Sequence, residues 1–291
     1  MTSVANPTIR LRSCGILLLV IVASIDGLAR VRVAVPCSIT QSQRSLTPLQ
    51  IEIEKQTQRL SSADVEERRD AVMRLGVMRR PEASKAALVA LSDPVPIVRA
   101  TAAAAVLSLP ANESAAVLIP LLNDKDEFVR QEASYALGKT KSRSAVSPLI
   151  ERLTMDKTNG VRGAAATALG QIGDEAAVIS LAQILSGGPA QTSGKGRKQQ
   201  AKENQFVLEA AARSLGQIGS RAGVLALIDT LSSDLFPAEV KRDAAHSLGL
   251  IGDPLAVPAL QAAIGAHDPY LSRIAYEALR KIASKEARNP S

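Results

Sequence analysis

Small and apolar residues return along this chain in one ten-residue pattern. It is plainest at Val129-Arg130-Gln131-Glu132-Ala133-Ser134-Tyr135-Ala136-Leu137-Gly138 and at Val161-Arg162-Gly163-Ala164-Ala165-Ala166-Thr167-Ala168-Leu169-Gly170. Further copies begin at Glu67, Val98, Val207, Val240 and Leu271. Counted from the second residue of each copy, here position 0, the spacings are 31, 31, 32, 46, 33 and 31 residues. A repeated period of this length marks a repeat array. Position +3 is alanine in all seven copies: Ala71, Ala102, Ala133, Ala165, Ala211, Ala244 and Ala275. Position +7 is leucine or valine throughout. Position +8 is glycine in five copies, with Leu107 and Arg280 as exceptions. Apolar residues at −1, +3, +6, +7 and +10 share one face of a helix. Small residues on that face let a neighbouring helix approach closely. No period-two alternation supports a strand.

Each unit reads as two helices. The first helices are expected near 81–92, 111–123, 142–154, 174–186, 220–232 and 253–265. The second helices are expected near 64–78, 95–108, 126–139, 159–171, 204–217, 237–250 and 268–283. An opening helix starts at Pro48, whose missing N–H costs nothing in a first turn. Gly173, Gly219 and Gly252 suit the left-handed residue that ends a helix, and Asp174 and Asp253 suit the cap of the next. One pair cannot cover its own apolar face, so neighbours must stack. The fold class is therefore all-α: an α-solenoid of about seven helical hairpins over residues 48–284, with a disordered tail at 285–291.

This pattern resembles the HEAT-repeat family, in particular the short bacterial HEAT-like repeats associated with phycobilisome lyases. Val-Arg-x-x-Ala-x-x-Ala-Leu-Gly carries the resemblance, with Ile172-Gly173-Asp174-Glu175-Ala176-Ala177-Val178. It covers about residues 48–284 and implies the fold firmly. It implies little about function, because such repeats serve many unrelated tasks.

Arg68, Arg99, Arg130 and Arg162 fall near the start of second helices, where a cation opposes the macrodipole. Asp93, Asp124 and Asp156 each lie six residues before the arginine of their own unit. An Asp–Arg ladder between adjacent turns would compensate the misplaced charge, and the family resemblance implies one. The ladder is expected to fade in the second half, where the position holds Leu208, Lys241 and Ser272.

Outside the array, Arg10 and Arg12 precede an uncharged run of 12 residues from Cys14 to Ile25, which Asp26 ends. That is short for a membrane span, which needs about 20 residues. Residues 1–29 read as an export signal, or as an uncleaved anchor, with small residues Gly27 and Ala29 before a cleavage point. Residues 30–47 read as a flexible linker. The expected location is exported, either periplasmic or membrane-associated. After cleavage Cys37 would remain alone, so stability must come from packing rather than a disulfide.

Among its 291 residues the chain is 46% hydrophobic, 2% aromatic and without tryptophan, with a net charge of +7. The apolar content is ample for a large core, and alanine and leucine dominate it. The basic excess permits anionic partners without selecting one. It concentrates in an insertion at 187–202, expected to be a loop, with Lys195, Arg197, Lys198 and Lys202 and no acid. This segment offers a possible anionic contact. Gly194-Lys195-Gly196 lacks the spacing and the trailing hydroxyl of a phosphate-binding loop.

The only histidines are His246 and His267, and neither is followed by glutamate. The iron hydroxylases that share this architecture carry paired His-Glu motifs, so a di-iron site is not expected. No nucleophile-elbow motif is present. The sequence implies no catalytic residue, metal or cofactor, and no small-molecule substrate.

With alanine and leucine turned inward, positions +1, +2, +5 and +9 share the opposite face of the second helix, and their contents vary. In a HEAT-like solenoid the second helices line the concave surface. Seven units at about 10 Å each give a face about 70 Å long. The candidate partner-binding residues are Asp70, Met73, Glu132, Tyr135, Thr167, Arg213, Asp243, His246 and Glu277, with Tyr135, Arg213 and His246 as anchors. Three readings follow. The first is an exported, non-catalytic scaffold binding a protein or peptide along the concave face. The second is a HEAT-like lyase- or hydroxylase-type enzyme or accessory subunit. The third is a binder of an anionic polymer through the basic insertion.

Overall fold

The structure is a computed structural model that describes residues 46–187 and 197–288, with the backbone alone at 197–203. Fourteen α-helices and no strand occur among the described residues. The odd-numbered helices are the first of each pair: α1 Pro48–Arg59, α3 Pro81–Ala87, α5 Ala111–Leu118, α7 Val146–Met155, α9 Val178–Ser186, α11 Val224–Ser232 and α13 Val257–Ile264. The even-numbered helices are the second: α2 Val65–Val77, α4 Pro96–Ala105, α6 Glu127–Thr140, α8 Asn159–Ile172, α10 Arg197–Ile218, α12 Ala238–Ile251 and α14 Pro269–Arg288. Short 3₁₀ turns extend most first helices at one end, as at Leu88–Ser92 and Pro254–Ala256.

Local chemistry sets these bounds. Thr47 and Gln50 form a capping box around Pro48. Asp126 accepts from the backbone of Phe128 and Val129 to start α6. Asp174 and Asp253 cap as the sequence predicts. Gly173 and Gly252 end α8 and α12 in left-handed geometry, at φ +76° and +75°.

The seam lies between successive even helices, which pack on one another more extensively than successive odd helices do. The reason is size. The +8 glycine of one even helix lies against the +6 residue of the next. A Cβ on Gly138 would sit 2.7 Å from the Ala168 Cα, and one on Gly249 would sit 2.8 Å from the Ala278 Cα. Ser214 and Ser247, at the same +6 register, donate to the carbonyls of Ala166 and Ala212 on the preceding helix, each at 2.8 Å. These bonds satisfy hydroxyls that burial would otherwise penalise. The alanines at +3 are fully buried, and so are Leu75, Leu137, Leu169 and Leu248 at +7. A fully buried leucine contributes about 1.5–3 kcal/mol relative to an exposed one.

At both ends of the array this small–small seam is closed. The +6 position of α2 is Arg74 and the +8 position of α14 is Arg280, and both side chains are exposed. Tyr276 of α14 is also exposed, at a register that is buried in every earlier unit, as at Val72, Ala103, Ala166, Ala212 and Ala245. Large polar side chains thus stand where another helix would have to dock.

The ladder joins neighbouring units. Arg68 pairs with Asp93, Arg99 with Asp124 and Arg130 with Asp156, at 2.7, 2.7 and 2.8 Å. The link within a unit is to the backbone, since the Arg99 and Arg130 Nη1 atoms donate to the carbonyls of Asp93 and Asp124. The misplaced cation therefore lies between a carboxylate of the next unit and loop carbonyls of its own. Two expectations are corrected. Arg162 leaves the ladder and donates to the carbonyl of Leu153 and to Asn159 Oδ1 instead. The 46-residue spacing after it carries the insertion, so no aspartate follows at the ladder distance. Nor does the ladder end there. It resumes one residue further along α12, where Arg242 pairs with Asp268 at 2.7 Å and lies 5.1 Å from the Tyr270 ring centroid.

Two boundaries also differ from expectation. The insertion is not a loop throughout. Arg197, Lys198 and Lys202 belong to α10, because Gln, Ala, Lys and Glu from 197 onward favour helix. Lys195 lies outside the described residues. The tail at 285–291 is helical up to Arg288, and Lys285 Nζ donates to the carbonyls of Leu250 and Ile251 at the end of α12. The expected signal at 1–29 and all of the linker at 30–47 except its last two residues fall outside the described residues.

Candidate partner-binding face

The even helices share one solvent-facing row. At position +5, Met73, Ala104, Arg213, His246 and Glu277 are exposed, and Tyr135 and Thr167 are half-buried. Position +2 is more recessed. Asp70, Glu132 and Asp243 are half-buried, and the corresponding Ala164 and Ala210 are buried. The row therefore consists of +5 and +9, with +2 at its foot.

The nine candidate residues do not converge on one centre. Asp70 accepts from Arg59 at 2.7 Å and from Arg74 at 2.8 Å, so it ties α1 to α2. Those two arginines hold its carboxyl below the usual range. Tyr135 is raised by burial, against a hydrogen bond from Gln131. Arg213, Asp243, His246 and Glu277 occupy α10, α12 and α14, which are consecutive in the stack. Arg213 Nη1 lies 2.9 Å from Asp243 and 3.7 Å from Glu209. Burial pushes the Asp243 carboxyl up to about 6, with Glu209 adding to that and Arg213 opposing it. His246 is lowered by burial and then by Lys281, with Glu277 opposing. Glu277 pairs loosely with Arg273 at 3.9 Å.

Among the described residues, two open grooves run along this face. One, between α2 and α4, has a volume of about 290 Å³ and is mainly apolar; Val72, Met73, Gly76, Val77 and Ala104 line it beside Arg79. Val77 is 77% exposed. The other, of about 490 Å³, crosses α6, α8 and α10, and its lining is Gly138, Lys139, Lys141, Gly170, Gln171 and Gln217. Its floor exists because the seam glycines carry no side chain. The Gln171 and Gln217 carboxamides lie over Gly138 and Gly170, with Oε1 atoms 2.6 and 2.5 Å from where a Cβ would be. Of the nine candidates only Met73 lines either groove. The glutamines and Lys139 stand at +9, a position the sequence places on this face. Arg79 and Lys141 stand at +11, the register of Gly173, Gly219 and Gly252, which the sequence reads as a helix end and not as part of this face.

Among the described residues no group of three or more His, Cys, Asp or Glu side chains could hold a metal ion. No described helix is long and apolar enough to cross a membrane.

The sequence matches the family model for HEAT repeats at residues 53–138, 116–192 and 224–290, more than half of the chain. The PBS lyase HEAT-like repeat matches residues 207–233. Curated proteins give no match. Among solved structures, the fold is similar to the complex of CpcE and CpcF of phycocyanin lyase from Nostoc sp. PCC7120. The identity there is 22%, the cover 89% of this chain and 95% of that chain, and the TM-score 0.48. It is similar to human deoxyhypusine hydroxylase at 20% identity, covering 80% of this chain and 84% of that one, with TM-score 0.40. It is also similar to Kap121p at 18% identity, covering 81% of this chain and 29% of that one, with TM-score 0.49. Repeated helical pairs, a small-residue seam and the family match agree: the chain belongs to the HEAT repeat family.

Proposed function

We propose that this protein is an exported, non-catalytic scaffold that binds a polypeptide along its even-helix face. The observation that carries the reading is the solvent-facing +5 row on consecutively packed helices, exposed in five of the seven units, with two grooves beside it. Side chains of the core are nearly uniform from unit to unit, whereas those of the row differ, which is how a repeat protein obtains a specific surface from a common frame. Residues that vary in this way include an aromatic, an arginine and a histidine, types enriched where binding energy concentrates. Membership in a HEAT repeat family supports protein contact as the task. Arg10 and Arg12 followed by the uncharged run from Cys14 to Ile25 support export.

The test is selection of binding peptides from a random display library on the immobilised full-length protein. Competition with even-face variants (Met73→Asp, Tyr135→Ala, Arg213→Ala) should abolish capture of the selected peptides. An odd-face pair, Ile179→Asp with Leu225→Asp, should leave it intact. Selected peptides that respond only to the odd-face pair would reject the reading.

A further inference from the structure

Two side chains sit in a backbone conformation that their types disfavour. Arg79 has φ +49° and Lys141 has φ +54°, and they are the only non-glycine residues with positive φ among those described. Both follow the end of an even helix, α2 and α6. Gly173, Gly219 and Gly252 occupy the same geometry after α8, α10 and α12. A left-handed residue other than glycine carries a steric penalty that asparagine or glycine would reduce. A cation near a helix C-terminus gains from the macrodipole. That gain would apply equally after α8 and α12, where glycine is found. Each of the two also stands at the edge of a groove: Arg79 at the one between α2 and α4, Lys141 at the one across α6, α8 and α10.

The second groove is lined by Lys139 and Lys141 and by no acid. Both lysines are exposed. Elsewhere on this face charge is largely matched, with Asp70 on Arg74, Asp243 on Arg213 and Glu277 on Arg273. No carboxylate among the described residues pairs with either lysine. The Gln171 and Gln217 carboxamides stand on successive helices and offer both donors and acceptors. That suits the peptide groups of an extended chain. The first groove offers Met73, Val77 and Ala104 to an aliphatic side chain.

We propose, on the basis of the scaffold reading above, that the even-helix face binds an extended acidic segment of a partner protein. Its carboxylates meet Lys139 and Lys141, its backbone meets Gln171 and Gln217, and an aliphatic side chain enters the groove beside Arg79. Lys139 and Lys141, at the end of α6, stand one to two helix widths from the groove between α2 and α4, about 15 Å. An extended chain covers that in about five residues. A nucleic acid is the less suitable occupant, because the lining holds no aromatic ring for base stacking.

The experiment is fluorescence anisotropy on the full-length protein at physiological salt, with three probes. One peptide carries a leucine and, about five residues away, a cluster of glutamates. Its counterpart has glutamine in place of glutamate. The third probe is a single-stranded oligonucleotide of comparable length. The acidic peptide should bind about tenfold or more tighter than its glutamine counterpart. Lys139→Gln with Lys141→Gln should lose about tenfold in affinity, and a charge-matched pair on the odd helices, Lys55→Gln with Lys85→Gln, less than about twofold. Lys141→Gly should weaken binding while holding or raising the melting temperature, because glycine relieves the left-handed strain. Equal losses in the two lysine pairs, or an oligonucleotide binding as tightly as the acidic peptide, would reduce the groove to general attraction for polyanions and overturn the proposal. So would wild-type affinity in Lys141→Gly. Display-selected peptides that need the even face but carry no excess of acid would overturn it and leave the scaffold reading standing.

Discussion

Arg130 and Asp156 meet in a two-pronged pair, Nε to Oδ2 at 2.8 Å and Nη2 to Oδ1 at 3.0 Å, across 26 residues of chain. Both residues are buried, at 5% and 9% exposure. Asp156 also accepts from the backbone and hydroxyl of Thr158. Burial works to raise its carboxyl, but Arg130 and Thr158 together hold it below the usual range. The pair links the third and fourth units, and removing the carboxylate leaves a largely buried guanidinium with only the carbonyls of Asp124 and Lys125 as partners. Asp156→Ala should cost about 3 kcal/mol, measured by urea denaturation at pH 7.

The same pair sets an acid limit. Asp93, Asp124, Asp156 and Asp268 are all lowered in the folded state. A lowered carboxyl contributes stability that is present above its unfolded value, 3.8 here, and lost as pH falls through the folded value. Asp243 has the opposite sign. Its folded value of about 6 lies above 3.8, so its contribution is complete below 3.8 and lost as pH rises through about 6. Asp243→Asn should therefore raise stability by about 1 kcal/mol at pH 7.5 relative to its effect at pH 4. Melting curves of the variant and the wild type across that range give the measurement.

The seam makes a prediction with an internal control. Gly138→Ala would place a methyl 2.7 Å from the Ala168 backbone, while at Gly187 the nearest neighbours stand 3.6 Å away. Gly138→Ala should destabilise by about 1–3 kcal/mol. Gly187→Ala should be neutral or slightly stabilising. Denaturant midpoints for the two variants check the difference.

Arg74 and Arg280 stand at the registers where all inner interfaces hold Ala, Ser, Gly or Leu. Removing them should open the ends to stacking by a second copy. Arg74→Ala with Arg280→Ala and Tyr276→Ala should raise the sedimentation coefficient in a concentration-dependent way, and the wild type should not show that dependence under the same conditions.

The fold was legible because helix packing depends on residue size at fixed offsets. Alanine at +3 and glycine at +8 declared both the helical period and the closeness of the next helix. Glycine followed by aspartate, as at Gly173-Asp174, declared the turns. The ladder was legible as types but not as partners. Six residues separate Asp124 from Arg130, yet the pair forms with Asp156, because the loop of the next unit lies nearer the guanidinium than the carboxylate of its own. Arg242 escaped because it stands one residue off the repeat register. The groove residues Arg79 and Lys141 share the +11 register with Gly173, Gly219 and Gly252, where the controlling variable is a backbone angle. Tyr135 and Arg213 stand on the expected face, but outside both grooves.

The most direct test of the central claim is amide hydrogen exchange on the full-length protein, with and without a display-selected peptide at saturation. Peptide binding should slow exchange in the last turns of α6, α8 and α10 and leave α7, α9 and α11 unchanged. Slowed exchange confined to α7, α9 and α11 would contradict it.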